Sequence, residues 1–311
     1  MLHQYVTTSV SGIGAISEMP AMFLDDSAKA EVLNFLEERP AQTAMLSGLI
    51  RDNGLSSDFN RGDFFGCRNE HGELEGVALI GHATLFEARS ARAVYSLASR
   101  AQNYTGTHML MGEQDGVQMF WEFYAGRQAQ MRKSCREHLL ELRSPVELSE
   151  QVPGLRLATS EDLEALLPIH AQMAFEESGI NPLDTDPDGF RKRYLRRIQK
   201  QRSWAWIDAG SVVFKAEIVS QTPHVAYLEG VWVNPGIRSQ GQGTDCVLQL
   251  SKHLLSRSES VCLFVNEDNT SALKFYERRH PGTMRRVSEY TRACIEQCSA
   301  SRRLPYDWAG R

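Results

Sequence analysis

Apolar and polar positions along this chain follow two periods, and the switches between them mark the elements. From residue 155 the pattern is clearest. Leu155-Arg156-Leu157-Ala158-Thr159 alternates as a short strand. Leu163, Leu166, Leu167, Ile169, His170, Met173 and Ala174 then recur at helical spacing. Thr159 or Ser160 opens that helix, and Glu161 and Asp162 put acids in its first turn, where the helix dipole favours them. The order predicted beyond it is a loop at 178–186, a helix at 187–201 and strands at 203–208, 211–220 and 224–233. A helix at 241–256, a strand at 260–265 and a helix at 268–278 follow. Asp208-Ala209-Gly210-Ser211 is a hairpin turn between two apolar runs. The fold class is α/β (α+β), with a mixed, largely antiparallel sheet flanked by helices.

The first half shows a related order. Helical periodicity covers 28–36 and 43–50. Asp63–Cys67 and Leu74–Gly81 flank the turn signal Glu70-His71-Gly72-Glu73 as a hairpin. Residues 91–101 are helical, 107–111 strand-like and 117–124 helical, while 136–142 fits either a last strand or a helix. Pro145, Pro153 and Gly154 punctuate the middle. The expected division is 1–150, 151–292 and an irregular tail at 293–311. Whether the first half repeats the second or is an unrelated α/β domain stays open at this level.

With 42% hydrophobic and 23% charged residues, the 311-residue chain falls in the soluble globular class and is long enough for two domains. A net charge of −5 argues against a dedicated nucleic-acid binder. No apolar run approaches a membrane span, and residues 1–20 lack the basic and apolar regions of a secretory signal. The six cysteines are scattered, and Cys246 and Cys262 fall in apolar patterns. This usage suits buried reduced thiols rather than a disulfide framework or a metal site, and it suggests a cytoplasmic address. The oligomeric state is not readable.

One stretch carries chemistry. The apolar run Val225–Val233 is followed by Asn234-Pro235, then Arg238-Ser239-Gln240-Gly241-Gln242-Gly243-Thr244, then a helical pattern from Cys246 to Leu255. A glycine loop between a strand and a helix start is an anion seat, because the first N–H groups of the helix lack intrahelical partners. It is not a Walker loop, since Gly243 is followed by Thr244-Asp245, and it has only half of a dinucleotide fingerprint. The string from Val231 to Gly243 resembles the acetyl-CoA loop of GNAT-type N-acetyltransferases. A second match, Asn269-Thr270-Ser271-Ala272-Leu273-Lys274-Phe275-Tyr276-Glu277-Arg278, is similar to that family's Asn-x-x-Ala-x-x-x-Tyr-x-Lys/Arg segment. The resemblance covers about 155–290, and the whole chain looks like a two-domain GNAT protein whose first half lost its cofactor loop.

The resemblance implies an acyltransferase moving an acetyl group from acetyl-CoA, its cosubstrate, to the amine of a small molecule or protein, with no metal. Such a reaction needs a neutral amine, a stabilised oxyanion and a protonated leaving thiolate. Glu229, on the strand entering the loop, is the candidate base; the family often has a catalytic glutamate on this strand, though bare sequence also allows a solvent-facing acid. Tyr276 is the candidate acid, matching the motif tyrosine, with aromatic packing as its alternative. Arg238, Ser239, Gln240, Gly241, Gln242, Gly243 and Thr244 would hold the pyrophosphate. Val231, Trp232 and Val233 would offer backbone groups to pantetheine and the oxyanion. Asn269 could reach the cofactor or simply cap its helix. The acidic run Glu176, Glu177, Asp184, Asp186 and Asp188 borders the acceptor region in such folds, or is a solvated loop. The basic stretch 191–202 reads as a solvated helix face.

The tail departs from the family. The segment after Arg278 should continue Gly-Phe, and His280-Pro281 stands there instead. A shifted reading frame would produce such a swerve, and resequencing the source locus tests it. The competing reading of the whole chain is a CoA-binding regulatory or scaffold protein whose catalysis has decayed.

Overall fold

The structure is a computed structural model, and it describes residues 20–104, 106–125, 129–144, 151–238, 240–279 and 284–297. The first half runs β1 (Met22–Phe23), α1 (Lys29–Glu37), α2 (Ala44–Asn53), β2 (Gly62–Arg68), β3 (Leu74–Gly81), β4 (Ala83–Ala88), α3 (Ala91–Ala101), β5 (Met109–Glu113), α4 (Gln114–Tyr124) and β6 (Ala129–Leu142). The second runs β7 (Arg156–Leu157), α5 (Leu163–Ser178), α6 (Pro182–Thr185), α7 (Pro187–Gln199), β8 (Ser203–Asp208), β9 (Ser211–Gln221), β10 (Ala226–Val233), α8 (Gln242–Leu255), β11 (Val261–Asn266), α9 (Thr270–Arg279) and β12 (Met284–Gln297). From β2 and from β8 onward the two successions are the same, strand-strand-strand-helix-strand-helix-strand. The first half therefore repeats the element order of the second.

Among the described residues the strands form one twelve-stranded sheet, in the order β1-β2-β3-β4-β5-β12-β6-β11-β10-β9-β8-β7. Only the β4–β5 and β10–β11 pairs are parallel; the others are antiparallel. The last strands of the two halves cross over. β6 lies against β11 of the second half, pairing Val261↔Leu142 through Asn266↔Glu137. β12 lies against β5 of the first, pairing Tyr290↔Glu113 through Cys294↔Met109. The two also pair with each other along nearly their full length.

Local signals explain the elements. The Asp162 carboxylate accepts from the Thr159 N–H at 2.7 Å, closing the helix start that the sequence shows. Ala209 and Gly210, at φ 45° and 80°, make the β8–β9 turn. Several details differ from the pattern reading. β4 was missed, because its run Ala83–Ala88 is short and nearly all buried. The expected loop at 178–186 contains α6, which starts at a proline and is capped by Asn181. Residues 136–142 are strand, and β12 extends to Gln297 because β5 and β6 bind it on both sides. His280-Pro281 and residues 298–311 lie outside the described residues, while 293–297, expected as irregular tail, belong to β12.

The core has a shared portion. Val32, Leu36, Ile50, Leu79 and Leu139 pack with Val225, Tyr227, Cys262 and Tyr290. Part of the basic stretch meets the first half, while Arg191 and Lys192 stay exposed as expected of a solvated helix face. Arg202 and Lys200 engage Asp52, Arg196 Nη1 donates to Asn53 at 2.9 Å, and its guanidinium sits 4.0 Å from the Phe59 ring centroid. Among the described residues no helix is long and apolar enough to cross a membrane.

Candidate functional site

The site begins with a break in sheet geometry. β10 and β11 pair in parallel at Ala226↔Val261 and Tyr227↔Cys262, and then separate. On its other edge β10 steps from Glu229↔Glu217 to Trp232↔Lys215, three residues against two, which is a bulge at Gly230-Val231. Gly230 has φ 60°, in the left-handed region that glycine enters without a Cβ penalty. Its carbonyl accepts from Lys215 Nζ at 3.2 Å. Because the peptide is trans, the Val231 N–H points the opposite way, and both residues line the opening between β10 and β11.

Behind the bulge lies a buried polar group. Lys215 Nζ is 3.1 Å from Glu217 Oε1, and both side chains are 0% exposed. Glu217 also accepts from Tyr194 Oη at 2.9 Å and from Ser203 Oγ at 2.6 Å. His170 stacks on Tyr194 at 4.3 Å, and burial, with Lys215 nearby, drives its pKa well down, so it is a neutral packing residue. The sequence hint was two charged residues two apart in the apolar strand Val212-Val213-Phe214-Lys215-Ala216-Glu217-Ile218.

The loop occupies residues 234–241. Asn234 ties its start, accepting from the Gly236 N–H at 2.9 Å and donating to the Val212 carbonyl at 3.1 Å. Arg238 Nε donates to the Val233 carbonyl at 3.1 Å, and Gln240 Nε2 donates to the Gly236 carbonyl at 3.4 Å. Gly241 stands at φ 92°, with nothing within 4 Å of where a Cβ would be, so its backbone faces open space. Thr244 N–H and Asp245 N–H close on the Gly241 carbonyl, and the helix geometry leaves the N–H groups just before them without carbonyl partners. A Cβ on Gly243 would sit 2.6 Å from Val233 Cγ2, so glycine there lets α8 lie close on β10. Ser239 lies outside the described residues.

α9 closes the other wall. Tyr276 is buried and lines the opening; burial raises its phenol, so it stays protonated through neutral pH. Asn269 also lines it, while its Oδ1 accepts from the Ala272 N–H at 3.1 Å as a helix cap. Trp232 turns away and packs with the α5–α7 cluster. The resulting cleft encloses about 590 Å³ and brings together Glu229, Gly230, Val231, Asn269 and Tyr276.

The fold adds residues that sequence reasoning missed. β6 contributes Lys133, Cys135 and Glu137, so the first half builds part of this cleft. Arg292 on β12 approaches Glu137 at 3.1 Å, Glu177 at 3.4 Å and Glu229 at 3.9 Å. Burial raises the Glu137 pKa, opposed by Arg292. No sequence signal could have found Glu137 and Arg292, since strand exchange alone puts them there. Of the acidic run, Glu176 and Glu177 border the cleft, while Asp186 caps α7 and pairs with Arg193.

The corresponding place in the first half, between β4 and β5, holds a cavity of about 420 Å³. There β4 and α3 are joined by Arg89 and Ser90 alone, and Ser90 Oγ caps α3 by accepting from the Ala93 N–H at 3.1 Å. Arg39 is held nearby by Glu87 and Glu113, at 2.9 and 2.6 Å. Among the described residues, the second half alone has a glycine loop between strand and helix.

Residues 168–280 match the Acetyltransferase (GNAT) family. No curated protein matches the chain. Among solved structures, a Drosophila protein is similar with a TM-score of 0.64 at 12% identity, covering 89% of this chain and 99% of that one. A tandem GNAT protein from the clavulanic acid biosynthesis pathway gives a TM-score of 0.55 at 12% identity, covering 90% and 98%. A GNAT-family acetyltransferase from Colwellia psychrerythraea gives 0.52 at 12%, covering 89% and 99%. Residues 168–280 thus carry the GNAT family's acetyltransferase domain, and the fold across the chain is similar to that of a tandem GNAT structure.

Proposed function

We propose that the protein is an N-acetyltransferase that uses acetyl-CoA and acetylates an amine in the β10–β11 cleft. The observation that carries this reading is a cleft lined by a bulged strand with outward backbone groups and by a buried tyrosine, with a glycine loop following the same strand at the start of α8. The residues fit the cosubstrate. Gly241 leaves its backbone open to a phosphate, and the unpaired N–H groups of α8 with the helix dipole favour an anion there.

Acetyl-CoA supplies a thioester carbonyl: the amine nitrogen bonds to its carbon, the C–S bond breaks, and CoA leaves as the thiol. The protein's residues handle the protons and the charge. An alkyl ammonium has a pKa of about 10.4 and cannot attack until deprotonated. Glu229, directly or through water, takes that proton. The Val231 N–H, held outward by Lys215 on the neighbouring carbonyl, donates to the oxygen on which charge builds. Tyr276 gives its proton to the leaving sulfur, and the proton lost by nitrogen returns to it through solvent. Residues 1–150, in this reading, serve as the half that supplies β6 and one wall of the acceptor site. The thiol usage fits a cytoplasmic enzyme.

Free-thiol release from acetyl-CoA with a panel of amines tests the proposal. Amine-dependent release is expected. CoA binding with no release for any amine would sink it in favour of a CoA-binding regulatory or scaffold protein.

A further inference from the structure

The cleft has more negative charge than its own residues balance. Five carboxylates line it against Lys133 and Arg292. Lys133 Nζ is tied to the carbonyls of Glu176 and Glu177, at 3.0 Å each. Arg292 is shared by Glu137, Glu177 and Glu229, and its side chain is 11% exposed. One guanidinium cannot neutralise three carboxylates. Nor is it free to receive an anionic acceptor.

Two buried oxygens in the same cleft lack hydrogen-bond partners among the described residues; Arg292 Nε also has none but lies 3.1 Å from Glu137 Oε1 as an ion pair. Glu137 is 8% exposed, and its Oε2 has no hydrogen bond among the described residues, while Oε1 faces Arg292. Tyr227 is 1% exposed, and its hydroxyl also has none. Tyr227 and Glu137 both line this cleft, so the two orphan atoms belong to one neighbourhood. Leaving a buried acceptor unpaired is destabilising, more so when it is charged. A cationic donor would satisfy both. The attacking nitrogen cannot be that donor, because it must be neutral when it attacks.

We infer that the acceptor is a short diamine or similar dication, whose distal ammonium binds between Glu137 Oε2 and Tyr227 Oη while its near nitrogen reacts beside Glu229. This rests on the acetyltransferase reading and names its substrate class. Glu137 comes from β6, so the first half would select the acceptor used by the second half's chemistry. Lengthening the acceptor's apolar chain cannot replace the second charge, since the cleft end at Glu137 is ionic.

The test compares 1,4-diaminobutane with butylamine on the full-length protein, by thiol release at low salt. One charged hydrogen-bonded contact corresponds to roughly 10- to 100-fold in kcat/KM, so the diamine should be preferred by about 30-fold, chiefly through KM. Glu137→Gln should reduce that preference below about threefold, and Tyr227→Phe should weaken it in part, with kcat for butylamine changed much less. Calorimetric titration of 1,4-diaminobutane in the presence of CoA gives a readout independent of turnover. Binding that Glu137→Gln abolishes supports the inference even if no amine is acetylated, an outcome that would remove only the acetyltransferase reading. If Glu137→Gln fails to fold, Tyr227→Phe decides. Equal use of both amines, or a preference untouched by the variants that fold, overturns the inference and leaves the acetyltransferase reading standing.

Discussion

Replacing Lys215 by methionine should destabilise the protein by about 3 kcal/mol and damage turnover. Lys215 and Glu217 are fully buried and 3.1 Å apart. Removing one partner of such a pair typically costs 3–5 kcal/mol, because the other charge stays buried without compensation. The lower end applies here, since Glu217 keeps its hydrogen bonds from Tyr194 and Ser203. Thermal unfolding should then fall by about 6 °C or more. Adding Glu217→Gln removes the stranded charge while a neutral amide still meets Tyr194 and Ser203, so the double variant should recover at least half of the loss. The functional effect has a separate origin. The Gly230 carbonyl loses its donor at 3.2 Å, and the bulge that aims the Val231 N–H is no longer held. Turnover should drop by about tenfold or more while CoA affinity changes little, as expected when a single oxyanion donor is misplaced. Urea and thermal unfolding with steady-state kinetics on both variants check this. A Lys215→Met protein within about 1 kcal/mol of wild type, or a double variant no more stable than the single, would refute the buried-pair argument.

Four further outcomes follow from the same geometry. Gly241→Val forces a β-branched residue to φ 92° and puts a side chain into the open space at the loop, so thermal stabilisation by CoA, about 2.7 kcal/mol at 100 times Kd, should vanish; an unchanged shift would place the phosphates elsewhere. Tyr276→Phe should lower turnover about 100-fold with CoA affinity kept, and Glu229→Gln should lower it by a loss that shrinks at high pH, where more amine is already neutral; wild-type rates across pH with chemistry limiting would make either residue structural. Asp162 is held near about 2 by Arg156, below its usual 3.8, so its contribution is complete above about pH 4 and is lost as pH falls through the folded value. Asp162→Asn should therefore cost on the order of 1 kcal/mol at pH 7, reduced because Arg156 is half exposed, and much less at pH 2, which urea titrations at the two pH values measure. An isolated 151–311 fragment lacks β6 and so leaves β11 and β12 without the strand between them; it should be unstable or inactive, and a stable, fully active fragment would count against the exchanged-strand account.

Much of this protein is written in local pattern. The 3.6-residue spacing from Leu163 to Ala174, the Ala209-Gly210 turn and the glycine loop before α8 each depend on neighbours in sequence, so the order of the second half, its sheet type and the glycine turn at Gly241 were legible in the sequence. Glu229 and Tyr276 were legible as candidates for the same reason, since both stand at fixed spacings from local landmarks. The first half was readable only in part. β4 has no polar alternation to reveal it, being buried on both faces, and the last strands carried no statement of which half they join. Strand pairing is a non-local choice: β6 and β12 could each complete either half, and the sheet settles it by putting both between β5 and β11. That choice brings Glu137 and Arg292, 155 positions apart in the chain, to 3.1 Å, and turns a single candidate base into a cluster of carboxylates around one guanidinium. Local sequence determined the glycine turn and helix start that we propose as the cosubstrate's seat, because such features are short-range. The electrostatics of the acceptor side were decided by tertiary structure, because they arise from side chains that only strand exchange brings together.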